Sequence, residues 1–145
     1  MKVKDLLADK GSAVYSVPPD KTLKEALHSM LENKVGCLLV VLGDEVPVGI
    51  ITERDILRFV AKAINWHDTL IKEIMTSNLV IGFPDDDLEV IMALMTQNYF
   101  RHVPILDNKR LAGIVSIGDI IKTQLMNIKA ENRYLNEYIA GKYPA

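Results

Sequence analysis

The chain has 145 residues, of which 49% are hydrophobic and 25% charged, and a formal net charge of −2 at pH 7. This length allows one compact domain or two small units sharing a core, and the charge offers no basic field to hold nucleic acid. Met1-Lys2-Val3-Lys4-Asp5 has no apolar leader, no apolar run approaches membrane-spanning length, and a single cysteine, Cys37, cannot form an internal disulfide. A cytoplasmic protein with no nucleic-acid or membrane partner is therefore expected.

In chain order, Val14-Tyr15-Ser16-Val17 predicts a short strand closed by Pro18-Pro19. Thr22 can then cap a helix, with Glu25 at the capping-box position. Leu23, Ala26, Leu27, Met30 and Leu31 follow at the spacing of one helical face, as far as Asn33 and Gly36. Cys37 to Leu42 and Val46 to Thr52 read as apolar strands separated by the turn Gly43-Asp44-Glu45. Glu53 to Ile64 predicts a second helix with Ile56, Leu57, Val60 and Ala61 inward. Asn65 to Thr69 forms a link in which Trp66 reads as a packing plug.

Further on, Leu79 to Ile81 predicts a strand, Leu88 to Gln97 a helix, and His102 to Leu106 and Arg110 to Ser116 two more strands. A last helix runs from Ile117 or Gly118 to about Ala140, with Gly141 to Ala145 as its tail. Met30, Met92, Met95 and Met126 read as core gap-fillers. His28, His67 and His102 lack metal-site spacing, and Asp85-Asp86-Asp87 precede a helix start, where the dipole favours acids without any metal.

The second set repeats the first. Gly49-Ile50-Ile51-Thr52-Glu53-Arg54-Asp55-Ile56 returns as Gly113-Ile114-Val115-Ser116-Ile117-Gly118-Asp119-Ile120, about 64 residues later. Upstream, Pro19 to Leu23 aligns with Pro84 to Leu88, Leu38 to Val41 with Val103 to Leu106, and Lys4-Asp5-Leu6-Leu7 with Lys72-Glu73-Ile74-Met75. The expected fold class is α+β: two β-α-β-β-α repeats packed pseudo-symmetrically as one module, with a long C-terminal helix. The expected divisions are residues 1–65, residues 66–126 and a helical extension over 127–145. The apolar stripe beyond residue 126 has no counterpart in the first repeat, so it needs a surface to cover it, for which a second subunit is the expectation.

Thr52-x-x-Asp55 and Ser116-x-x-Asp119 each have two readings. A hydroxyl at a helix N-cap with an acid at N3 is a capping box. Equally, a helix N-terminus beside a carboxylate can hold a phosphate and the two vicinal hydroxyls of a ribose. The chain resembles a tandem pair of cystathionine-β-synthase (CBS) domains, the Bateman module, from about Lys2 to Gln124. The resemblance is carried by Gly49 to Asp55, Gly113 to Asp119, Pro19 to Leu23 and Arg101-His102-Val103-Pro104-Ile105.

The resemblance implies a non-catalytic regulatory module that binds AMP, ADP or ATP, or else NAD(H) or S-adenosylmethionine, in clefts between the repeats, with no obligatory cofactor. It implies that Asp55 and Asp119 hold ribose hydroxyls, with Thr52 and Ser116 beside them, and that Val14-Tyr15 and Leu79-Val80 contact the base. Arg101 and His102 would reach a phosphate in the cleft bearing Asp55. The matching Gly36 and Cys37 are neutral, so the clefts are expected to be unequal unless Lys34, Arg54, Lys122 or Arg133 supplies charge to the Asp119 cleft. Arg54 reads either as a phosphate contact or as a solvated first-turn side chain.

Three functions follow in order. The first is an adenine-nucleotide sensor, a homodimer acting on a separate protein. The second is a structural interaction module with vestigial sites. The third is an enzyme, against which stand the absence of a P-loop, a Ser-His-Asp order and a spaced carboxylate pair in the sequence.

Overall fold

The computed structural model describes residues 1–11, 13–43, 46–63 and 65–141. Its elements run α1 (Val3–Lys10), β1 (Ser16–Val17), α2 (Leu23–Asn33), β2 (Cys37–Val41), β3 (Pro47–Thr52), α3 (Glu53–Val60), α4 (Ile71–Ile74), α5 (Leu88–Asn98), β4 (His102–Asp107), β5 (Arg110–Ser116) and α6 (Ile117–Ile139). This is the α+β fold expected, two repeats ending in a 23-residue helix.

In the first repeat β1 pairs parallel with β2, and β2 pairs antiparallel with β3. In the second, β4 and β5 form the matching antiparallel pair, and both hairpins slip register at equivalent places, Val40/Val41 and Ile105/Leu106. The turn residues Asp44 and Glu45 lie outside the described residues, as do Ser12, Ile64 and residues 142–145. The strand expected over Leu79 to Ile81 does not form. Only Gly82 bridges Ile105, through Gly82 N–H to the Pro104 carbonyl at 2.9 Å and Leu106 N–H to the Gly82 carbonyl at 3.0 Å.

Each sheet face closes over its own core. Leu23, Ala26, Met30, Leu38, Val40, Ile51, Ile56 and Ile71 fill the first, with Trp66 packed against it as expected. Val3, Leu6, Leu7, Leu88, Ile91, Val103, Ile105, Val115 and Ile120 belong to the second. The leading helices are thus exchanged: α1 precedes the first repeat but completes the second core, and α4 precedes the second but completes the first. Paired backbone bonds fix both. Val3 N–H and Lys4 N–H reach the Asp86 and Pro84 carbonyls at 2.9 Å each, while Ile71 N–H and Lys72 N–H reach those of Lys21 and Pro19 at 2.8 and 3.1 Å.

The motif glycines exist for this exchange. A Cβ on Gly49 would lie 2.5 Å from Met75 Sδ and 3.1 Å from the Thr76 carbonyl, and one on Gly113 would lie 2.8 Å from Leu7 Cδ2, so each glycine gives the exchanged segment a close approach to the strand. Asp85 and Asp87 pair with Lys4 and Lys2 at 2.9 and 3.0 Å, and Asp86 accepts from Phe83 N–H at 2.8 Å, so the acidic run serves the docking of α1.

Several inward assignments need correction. Leu31 is 77% and Leu57 70% exposed, and Ala61 and Met126 are also exposed. At about 100° per residue, Leu31 lies about 80° from Leu23, at the edge of the stripe, and Leu57 and Ala61 lie about 100° and 140° from Ile56. Phe59 and Val60 flank Ile56 instead and pack on the first core.

Candidate functional site

Both repeated motifs form complete capping boxes. Thr52 Oγ1 accepts from Asp55 N–H at 3.2 Å and Asp55 Oδ2 from Thr52 N–H at 3.0 Å. Ser116 and Asp119 exchange the same bonds at 3.1 and 2.9 Å. An acid at the third helical position does this elsewhere too: Glu25 with Thr22, Asp5 with Lys2 and Glu73 with Leu70. Capping alone accounts for one oxygen of Asp55. Its other oxygen, Oδ1, has no partner among the described residues.

What sets Asp55 apart is the cavity of about 680 Å³ that it lines, a volume within the range of ligand sites. The end of β3 and the start of α3 give Thr52, Glu53, Arg54, Asp55 and, one turn on, Arg58. The segment after α4 contributes Thr76, Asn78, Leu79 and Val80, and the end of α5 with the start of β4 contributes Asn98, Tyr99, Phe100, Arg101 and His102. Arg54, Arg58 and Arg101 make no ion pair with any described residue, and they face two carboxylates, Glu53 and Asp55. The cavity therefore joins a helix N-terminus, apolar wall residues and, among the described residues, a carboxylate with a free oxygen and three guanidinium groups without an ion pair. That arrangement suits an anion on a hydroxylated apolar body.

His102 is mostly buried. Burial lowers its pKa below the usual imidazole value, partly offset by Asp119, so the ring is neutral at pH 7 and Arg101 is the cation at this wall. Burial likewise pushes the Cys37 thiol up to about 11, so it stays protonated.

Ser116, Asp119, Val14 and Tyr15 do not line this cavity. At the equivalent place in the second repeat, Lys10 Nζ binds Asp119 Oδ2 and the Ile114 carbonyl, the latter at 2.8 Å. Burial raises the Asp119 carboxyl, but the bonds from Lys10 and Ser116 outweigh it and leave the group below its ordinary value. Extending the match of Lys4 to Leu7 with Lys72 to Met75 by three residues aligns Lys10 with Asn78. One position thus differs between the clefts: a neutral amide at the open one and an ammonium locked onto the aspartate at the other.

Of the cations suggested as charge for the Asp119 cleft, Arg54 lines the Asp55 cavity instead. Lys34 caps α2 in the left-handed conformation, and Arg133 pairs with Glu137 along α6 at 3.3 Å. Sequence reading missed Arg58, Asn78, Tyr99 and Lys10. Arg58 lies one helical turn beyond Asp55, a signal present in the sequence. Tyr99 matches Lys34 in holding the left-handed C-cap at φ 58°, which leaves its ring 92% exposed at the cavity rim.

The CBS domain family model matches residues 3–62 and 71–125. The mitochondrial CBS domain-containing protein CBSX3 of Arabidopsis thaliana is 37% identical over 148 residues, spanning 99% of this chain and 71% of that protein. Among solved structures, a CBS-domain containing protein from Agrobacterium tumefaciens is 39% identical, with a TM-score of 0.82 over 86% of this chain and 99% of that one. The CBS domain pair of protein MJ0100, solved with 5′-methylthioadenosine and S-adenosyl-L-methionine, is 27% identical, with a TM-score of 0.76 over 89% of this chain and 98% of that one. With two matches covering most of the residues and a fold shared with CBS domain pairs, this chain belongs to the CBS domain family and carries two CBS domains in tandem.

Proposed function

We propose that the protein is a non-catalytic regulatory module that binds an adenosine-containing ligand in the cavity between its repeats and acts, as a cytoplasmic homodimer, on a separate protein. The observation that carries this reading is the convergence of Thr52, Asp55 and three arginines from two different repeats on one cavity. In the proposed mode the free oxygen of Asp55 takes the ribose hydroxyls, Leu79 and Val80 flank the base, and Arg101, Arg54 and Arg58 receive phosphates. The arginines favour AMP, ADP or ATP over S-adenosylmethionine, whose sulfonium centre would face three positive charges.

Because the cavity walls come from both repeats, a bound ligand couples their relative positions. It transmits a signal only if two arrangements bind it with different affinity. Self-association has its own support: Leu57 and Ile121, at matching positions of the two repeats, are 70% and 55% exposed. The chain contributes no nucleic-acid surface in this reading. Among the described residues, no helix is long and apolar enough to cross a membrane.

A thermal-unfolding panel with AMP, ADP, ATP, NAD(H) and S-adenosylmethionine tests the proposal. A ligand at a hundredfold excess over its Kd adds about 2.7 kcal/mol, a rise of roughly 5–10 °C for a chain of this size. No rise with any of the five would leave the capping role of Asp55 as sufficient and favour a structural interaction module.

A further inference from the structure

Beyond residue 125, where the CBS match ends, α6 continues to Ile139. Apolar residues there face outward: Ile128 is 53%, Leu135 53% and Ile139 81% exposed, with Met126, Tyr134 and Tyr138 exposed beside them. Ile121, Leu125, Ile128, Asn132, Leu135 and Ile139 recur at alternating steps of four and three, a heptad pattern in which Leu125, Asn132 and Ile139 occupy one core position and Ile121, Ile128 and Leu135 the other. Arg133 and Glu137 pair on the opposite face. The one polar residue among these six core positions is an asparagine near the middle of the seam.

We propose that α6 pairs with α6 of a second copy of this chain as a short parallel two-stranded coiled coil, in register at Asn132. The charges select the direction. In the antiparallel arrangement that matches the apolar layers, Lys129 would face Lys129 and Glu131 would face Glu131 across the dyad, and Asn132 would be buried against Ile128. The parallel arrangement sets Asn132 against Asn132, where two amides can bond each other, and places Glu131 beside Asn136 and Gln124 beside Lys129. A polar pair at one core layer fixes register and a two-stranded state at some cost in stability. The inference rests on the homodimer reading above and adds its seam and direction. It does not depend on the bound ligand.

The test is sedimentation equilibrium on the full chain, the Ile128→Asp/Leu135→Asp double variant, and Ile139→Cys in a Cys37→Ala background. The expected results are a dimer of the 16.3 kDa chain, a monomer for the double variant with its melting curve otherwise kept, and near-complete disulfide cross-linking through position 139 on mild oxidation. Cross-linking discriminates because in the antiparallel arrangement the two 139 positions lie about 27 Å apart along the axis. A double variant that remains dimeric overturns the seam while leaving the homodimer standing. A dimer lost in the double variant yet not cross-linked through position 139 overturns the parallel direction. A full chain that is monomeric at every concentration overturns both.

Discussion

Asp55→Asn separates the two roles that one carboxylate can play. Thr52 N–H donates to Asp55 Oδ2 at 3.0 Å, and an amide oxygen accepts the same bond, so the cap survives and stability changes by less than about 1 kcal/mol. The oxygen proposed for the ribose fares differently. An amide nitrogen cannot accept a hydroxyl proton, and the remaining bond loses its charge assistance, a cost of about 1.5–3 kcal/mol, or roughly 10–150-fold in Kd. Asp119→Asn is the contrasting control. It weakens the pair with Lys10, whose two side chains are 29% and 26% exposed, at a cost of about 1 kcal/mol, and leaves ligand affinity unchanged. Isothermal titration with AMP and ATP on the three proteins, beside urea melts of each, reads both quantities. Equal losses of affinity in the two variants, or a loss confined to Asp119→Asn, would refute the assignment of the open cavity to Asp55.

Arg101→Ala should weaken ATP by about tenfold and leave adenosine within about twofold, measured by competition titration, because a guanidinium can reward only the phosphates. Lys10→Met should cost about 1 kcal/mol at neutral pH. Since the folded-state value of Asp119 lies below its ordinary 3.8, its stabilisation is present above that value and lost as pH falls through the lower one. The variant should therefore show a flatter acid limb in melts taken across about pH 2–7. Gly49→Ala should destabilise by about 1–3 kcal/mol in denaturant melts, its new Cβ meeting Met75 Sδ at 2.5 Å and the Thr76 carbonyl at 3.1 Å. Gly118→Ala in the same assay should be neutral or gain up to about 1 kcal/mol, because only Ser116 Oγ lies near, at 3.6 Å, within a helix that favours alanine.

Period and chemistry made much of this legible. Thr22 with Glu25, Thr52 with Asp55 and Ser116 with Asp119 announce helix starts because a capping box is local, needing no partner beyond three residues. The two hairpins show as β-branched runs. Arg101 and His102 could be set against Asp55 only through the family resemblance, because the meeting of α5's end with α3's start is a tertiary fact that no local pattern encodes. The exchange of α1 and α4 was hidden for the same reason: Leu7 and Met75 are apolar in either pairing, and only the short approach to Gly113 and Gly49 reveals which strand each one covers. Lys10 was hidden more shallowly, since carrying the repeat three residues further places it opposite Asn78. Leu79 to Ile81 read as a strand on composition, yet the segment meets β4 at a single bridge, at Gly82, and otherwise Leu79 and Val80 form a wall of the cavity.

The exchange of leading helices also orders events during synthesis. Every residue of the first core lies between Val17 and Met75, so that core can assemble without help from α1 once the chain as far as Met75 has left the ribosome. Helix α1, made earlier, finds its docking turn at Pro84 to Leu88 only when about 80 further residues have been added, roughly 4–16 s later at ordinary elongation rates. During that interval Val3, Leu6 and Leu7 are a short apolar strip with nothing to cover them. Until then α1 has no partner in its own chain, and the second core of a neighbouring chain offers it the same docking turn.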